Sequence, residues 1–130
     1  FKVDFRLYCV VTSFDPLLVY VYNEGLVRFA ATPYDGSTLN SDGHLTNFSV
    51  QKTTAGFVKP SADTDGGTSS KWTLHACKRF FEESGWDWGR AWGNIVRAVV
   101  TGLVSVADDV ASATANATCR RFSCFELYGV

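Results

Sequence analysis

The sequence predicts an α+β chain, a mainly antiparallel sheet with two packed helices. Two patterns carry that expectation. Near the N-terminus apolar and polar residues alternate with the two-residue period of a strand, and Pro, Asn and Gly punctuate the runs. Further on, aromatic and aliphatic residues recur at helical spacing. At 130 residues, 46% hydrophobic and 15% aromatic, the chain can supply the core of one domain.

The first strand is Lys2-Val3-Asp4-Phe5-Arg6-Leu7, continued by Cys9 and Val11. Alternation assigns Val3, Phe5, Leu7 and Cys9 to a buried face and lines up Lys2, Asp4 and Arg6 on the other. Ser13-Phe14-Asp15-Pro16 reads as a turn, because Pro fixes φ and cannot enter a following central strand. A second strand, Leu17 to Asn23, is apolar on both faces and is expected to be central and covered. Asn23-Glu24-Gly25 offers another turn, with Gly25 suited to a positive φ. The third strand, Leu26 to Ala31, carries a single cation, Arg28, among apolar neighbours, and a functional role is expected for it.

Residues 33–43 are polar and rich in turn formers, hence a loop. His44 to Lys52 fits neither period. It reads as a capped turn in which Thr46 and Asn47 bond local backbone, or as a binding loop. Residues 59–70 have the composition of a surface loop long enough to act as a lid. A first helix is expected next, capped by Ser69 or Ser70, striped by Trp72, Ala76, Cys77, Phe80 and Phe81, and stopped at Ser84-Gly85. A second starts at the N-cap Asp87 and runs to about Ala113, with Trp88, Trp92, Ile95, Val99, Leu103 and Val106 facing the core and Gly93 and Gly102 weakening it. Asn94 and Arg97 interrupt its apolar run, which falls far short of the ~20 residues of a membrane span, so no membrane partner is expected. Residues 112–116 read as a small-residue connector, and a last strand from about Arg120 enters the sheet.

A net charge of −1 gives no general pull toward nucleic acid. The cysteines (Cys9, Cys77, Cys119, Cys124) contain no CxxC pair, and His44 and His75 are not spaced as ligands, so zinc is not expected. Cys9 and Cys77 fall on apolar faces, which favours reduced thiols and a cytosolic setting. The even cysteine count and the sequons Asn47-Phe48-Ser49 and Asn116-Ala117-Thr118 raise one alternative, a secreted β-rich glycoprotein. Asp63, Asp65, Glu82, Glu83, Asp108 and Asp109 read as solvated charges. The absence of methionine, Phe1 at the start and a strand still running at Val130 lead to the expectation of an internal fragment, truncated at both ends.

Lys2-x-Asp4-x-Arg6, then VTSFDPL, YNEGLVRFA, HLTNFSVQK, SKW and SCFELYG resemble the catalytic domain of the tubulin tyrosine ligase-like family, in order and over nearly the whole chain. SCFELYG is most similar to its polyglutamylase branch. The resemblance implies a partial ATP-grasp fold and an ATP- and Mg²⁺-dependent ligase. Such an enzyme phosphorylates a carboxylate and lets an amine attack the acyl phosphate. Here it would join L-glutamate to a glutamate side chain in the C-terminal tails of tubulin. The implied location is cytoplasmic, on microtubules, including those of the cilium or basal body.

By the same resemblance, Lys2, Asp4, Thr46 and Asn47 would bind ATP, and Arg28, Phe48, Ser49 and Lys71 would bind the amino acid. Arg6 would be the catalytic group beside the reacting phosphate and carboxylate. His44 would be a neighbour of the transferring group or a structural histidine. Preorganised cations suit a reaction whose intermediates concentrate negative charge. Two departures stand out. Phe48 occupies a place where the family usually has Tyr, so a hydroxyl beside the amino acid is missing. The family's metal-binding Asp and Glu-x-Asn are expected downstream of residue 130, leaving no metal site within this stretch. A tyrosine or glycine ligase of the same family is an alternative. So is a non-catalytic microtubule-binding module, against which the intact set Lys2, Asp4, Arg6, Arg28 and Lys71 argues.

Overall fold

A computed structural model describes residues 1–39, 41–59, 67, 69–117 and 124–130. The elements are β1 (Val3–Phe14), β2 (Leu17–Phe29), α1 (Ser41–His44), α2 (Phe48–Gln51), β3 (Lys71–Thr73), α3 (Leu74–Glu83), α4 (Trp88–Val104), α5 (Ala107–Ala117) and β4 (Glu126–Gly129). The strands form one sheet in the order β3-β2-β1-β4, with β3 antiparallel to β2 and β4 antiparallel to β1. The α+β class is therefore the one the sequence predicts. No helix among the described residues is long and apolar enough to cross a membrane.

Two compact units divide the chain. One comprises Phe1–Arg6 and Glu24–Gly85, the other Leu7–Asn23 and Trp86–Val130. In the first, Val27, Ala30, Leu74, Ala76 and Cys77 are buried. Trp72 packs tilted against Phe29 at 4.8 Å and edge-on to Phe80 at 5.6 Å. Its indole N–H donates to the Ser69 carbonyl at 2.9 Å. In the second, Leu7, Cys9 and Val11 of β1 are buried. β4 adds to β1 with Tyr8 opposite Gly129 and Val11 opposite Glu126. The ladder is extended by reciprocal backbone bonds between Leu7 and Val130 at 2.7 and 2.9 Å.

The structure redraws several elements. β2 is one strand, not two. The expected turn at Asn23-Glu24-Gly25 is absent and Gly25 has no positive φ, because β1 and β2, 12 and 13 residues long, run on past it side by side. The Leu17–Asn23 half is not covered on both faces: Leu18, Tyr20 and Tyr22 are exposed. Tyrosine carries a hydroxyl that tolerates water, so counting it as apolar misjudged that face. Val3 is 40% exposed and Phe5 only half-buried, so the β1 core starts at Leu7.

Lys71–Thr73 is a short strand, and Thr73 rather than Ser69 or Ser70 caps α3, its hydroxyl accepting from the Ala76 N–H at 3.1 Å. The stop at Ser84-Gly85 is as read, with Gly85 at φ 73°. Asp87 caps α4 as expected, accepting from Arg90 N–H at 2.9 Å. The long second helix is broken into α4 and α5. Ser105 closes α4 by donating its hydroxyl to the Gly102 carbonyl at 2.7 Å, and Asp108 and Asp109 fall in the first turn of α5, where acidic groups suit the helix dipole. The supposed connector 112–116 is helical. No residue of α4 is fully buried, so its Trp and Val stripe is half-buried rather than core. Most of the lid reading, Asp63, Asp65, Cys119 and the start of the last strand lie outside the described residues.

Cys9 and Cys77 are free thiols, and burial pushes both above their ordinary value.

Candidate functional site

β3 makes the site. It adds to β2 in a register that places Lys71 opposite Arg28, Trp72 opposite Val27 and Thr73 opposite Leu26. Directly opposed residues project to the same side of a sheet, so two cations 43 positions apart in the chain become neighbours. Ser69 and Ser70 fix that register. The Ser69 hydroxyl donates to the Lys71 carbonyl at 2.9 Å and accepts from the Lys71 N–H at 3.2 Å. The Ser70 carbonyl accepts from Phe29 N–H at 3.0 Å, and its hydroxyl accepts from Val58 N–H at 3.1 Å.

Arg28 and Lys71 line a pocket of about 120 Å³, shared with Phe29, Thr46, Phe48, Gln51, Phe57, Lys59 and Ser70. Phe48 meets Phe57 edge-on at 5.7 Å and forms an aromatic wall. Thr46 is buried beside it. The lining residues include three cations and no carboxylate, but the surface they present to the pocket is mainly apolar, so an anion with an apolar stem suits it. Asp4 on β1 accepts from Arg28 Nε at 2.6 Å and from Nη2 through the same oxygen, Oδ2. Across β1, β2 and β3 the polar row is thus Asp4, Arg28, Lys71.

The other sequence-predicted residues are placed as follows. Lys2 donates its ammonium to the His44 carbonyl at 2.6 Å. His44 Nε2 lies 3.0 Å from the Asp35 carbonyl, which can only accept, so that nitrogen carries the proton. The ring of His44 packs on Tyr34 at 4.8 Å, and it does not line the pocket. Two bonds from Ser37, with His44 adding to them, hold the Asp35 carboxyl below its ordinary value. Asn47 stands at the N-cap of α2 but makes no side-chain cap bond. Its carbonyl accepts from Val50 and Gln51. Asn47 and Ser49 are exposed and outside the pocket lining. Arg6, half-buried on β1, does not line the pocket either. Of the ten residues named from the sequence, the pocket gathers Arg28, Thr46, Phe48 and Lys71.

Sequence reasoning missed Gln51, Phe57 and Lys59. Gln51 is 1% exposed; its amide oxygen accepts from Ala31 N–H at 2.6 Å, and its amide nitrogen donates to the carbonyls of Asp42, at 3.0 Å, and Leu45. One side chain therefore ties the end of β2 to α1 and α2 beneath the pocket. Gly56 permits the same close packing, since a Cβ there would sit 2.5 Å from the Ala31 carbonyl oxygen. The signal available in the sequence was a lone Gln at the end of a short apolar turn, too common to single out.

No three His, Cys, Asp or Glu among the described residues converge to hold a metal ion.

Against known proteins, residues 1–130 match the Tubulin-tyrosine ligase family from end to end. The chain belongs to that family. It is 42% identical, over 98% of its length, to the Tubulin polyglutamylase ttll-5 of Caenorhabditis elegans, of which it covers 18%. It is 36% identical over 99% of its length to the Tubulin polyglutamylase TTLL5 of Mus musculus, covering 10% of it. With the Probable tubulin polyglutamylase TTLL2 of Homo sapiens the identity is 40% over 99% of the chain, covering 20% of the relative. The chain thus spans between a tenth and a fifth of the length of these relatives.

Proposed function

We propose that this chain is part of the catalytic domain of an ATP-dependent tubulin polyglutamylase, and that the Arg28–Lys71 pocket receives the incoming L-glutamate. The observation that carries the reading is the register of β3 on β2, which sets Lys71 beside Arg28 over an aromatic wall. Free glutamate has two carboxylates and one ammonium. An arginine offers a planar fork to one carboxylate, a lysine a point charge to the other. Relatives with polyglutamylase names support the choice of glutamate and of tubulin, while Phe48, lacking the family's usual hydroxyl, leaves the cations as the main source of grip.

In the reaction so proposed, a carboxylate oxygen of a tubulin side chain attacks the γ-phosphorus of ATP and ADP leaves. The glutamate nitrogen, having shed one proton to solvent, then attacks the acyl carbon, and phosphate departs with the second nitrogen proton as the amide forms. This chain's part is to bind and aim the amino acid and to stabilise charge. Arg6 lies on β1 two residues beyond Asp4, on the polar side of the strand pattern, and is assigned to the transferring group. Lys2 and Asp4 are assigned to the nucleotide, and the acceptor oxygen Oδ1 of Asp4 suits a hydroxyl. Mg²⁺ would neutralise phosphate charge. Action on microtubules, including those of cilia, follows from the proposed substrate.

Arg28→Lys in the full-length protein keeps the charge and loses the fork. It is expected to raise the Michaelis constant for glutamate at least about tenfold, the loss of one charge-assisted hydrogen bond, with that for ATP nearly unchanged. Lys71→Ala should act on the same substrate, and the double variant should be non-additive because both groups hold one molecule. Steady-state kinetics with each substrate varied decides the matter. A parallel rise in the ATP constant with additive effects assigns Arg28 to the nucleotide instead.

A further inference from the structure

Asp4 and Arg28 are assigned to different substrates, yet they hold each other. We infer that Asp4 is a positioning residue for the amino acid: by gripping one edge of the Arg28 guanidinium it aims the other edge into the pocket. The inference rests on the glutamate-pocket reading above. Arg28 Nε and Nη2 both donate to Asp4 Oδ2, the first at 2.6 Å. These two bonds use the Nε–Nη2 edge of the planar fork. The Nη1 group and the outer N–H of Nη2 remain, and together they present the end-on pair that fits the two oxygens of a carboxylate.

An unbraced arginine has several free torsions whose ordering opposes binding. Here they are ordered before the ligand arrives, by a partly buried ion pair between adjacent strands. Asp4 neutralises one positive charge, but Lys59 and Lys71 still line the pocket and keep it attractive to an anion. Neither lysine has a hydrogen bond or ion pair from its side chain to a described residue. Oδ1 of Asp4 likewise accepts no bond from a described residue, so the carboxylate can serve a nucleotide hydroxyl without releasing Arg28. One side chain thereby touches the nucleotide and sets the geometry for the amino acid.

Asp4→Asn preserves the shape of the side chain and removes the charge that holds the guanidinium. In the full-length protein it should raise the Michaelis constant for glutamate about fivefold or more, the scale of coupling between groups in direct contact. Asp4→Glu should restore part of that loss. Arg28→Lys made in the Asp4→Asn background should raise the constant far less than it does alone. Calorimetric titration of glutamate, without turnover, should show the same weakening. If Asp4→Asn raises only the constant for ATP and leaves glutamate binding native, or if the Asp4 and Arg28 effects are additive, the inference is overturned and the pocket reading stands. If Arg28→Lys alone leaves glutamate binding unchanged, both fall together.

Discussion

Arg6→Ala in the full-length protein is expected to lower kcat for glutamate transfer by at least about a hundredfold, the usual cost of removing one group that stabilises developing negative charge. The fold should survive. Arg6 is half-buried on β1 and makes no hydrogen bond or ion pair with a described residue, so its truncation leaves none of them without a partner. The Michaelis constants for ATP and glutamate should change little, because a group that acts on the transition state is not needed to bind either substrate. Comparison of kcat with the thermal midpoint separates the outcomes. Near-normal turnover removes Arg6 from the reaction, and a collapsed midpoint shows that it holds the fold instead.

Gln51→Leu should have the largest effect on stability. The replacement is apolar and similar in volume, so little packing is lost. Three hydrogen bonds to backbone are lost: those of the Ala31 N–H and of the Asp42 and Leu45 carbonyls with the Gln51 amide. At these part-buried positions each lost hydrogen bond costs about 0.5–1.5 kcal/mol. Urea unfolding should show a midpoint well below native with an unchanged slope. Because Gln51 also lines the pocket, glutamate binding should weaken in variants that still fold. A Gln51→Leu variant as stable as the native protein would mean that these three groups find partners elsewhere.

How much of this could be read from the sequence depended on the length of each pattern. The β1 alternation was long enough to sort Asp4 and Arg6 from Leu7, Cys9 and Val11, and the structure keeps that division. The Asp87 cap and the Ser84-Gly85 stop were legible because capping depends on a few adjacent residues. β3 was not legible. Three residues are too few to display a period, and Trp72 also falls in helical spacing with Ala76 and Phe80. That small error matters, because the register of β3 is what sets Lys71 opposite Arg28. The family motifs named both residues without indicating that they are cross-strand partners. The role of Gln51 was hidden for a related reason: its partners are backbone groups at positions 31, 42 and 45, which no side-chain pattern encodes. The break between α4 and α5 arises from Ser105 and Gly102 together, where each alone is tolerated within a helix.

Incubation of the purified full-length protein with tubulin, ATP and radiolabelled amino acids measures the proposed activity directly. Label from glutamate should enter tubulin only when ATP is present, should exceed that from tyrosine or glycine, and should fall in the Arg28→Lys variant at low glutamate and recover at high glutamate. Preferential incorporation of tyrosine or glycine, or incorporation of glutamate that is indifferent to Arg28, would contradict the assignment of the Arg28–Lys71 pocket.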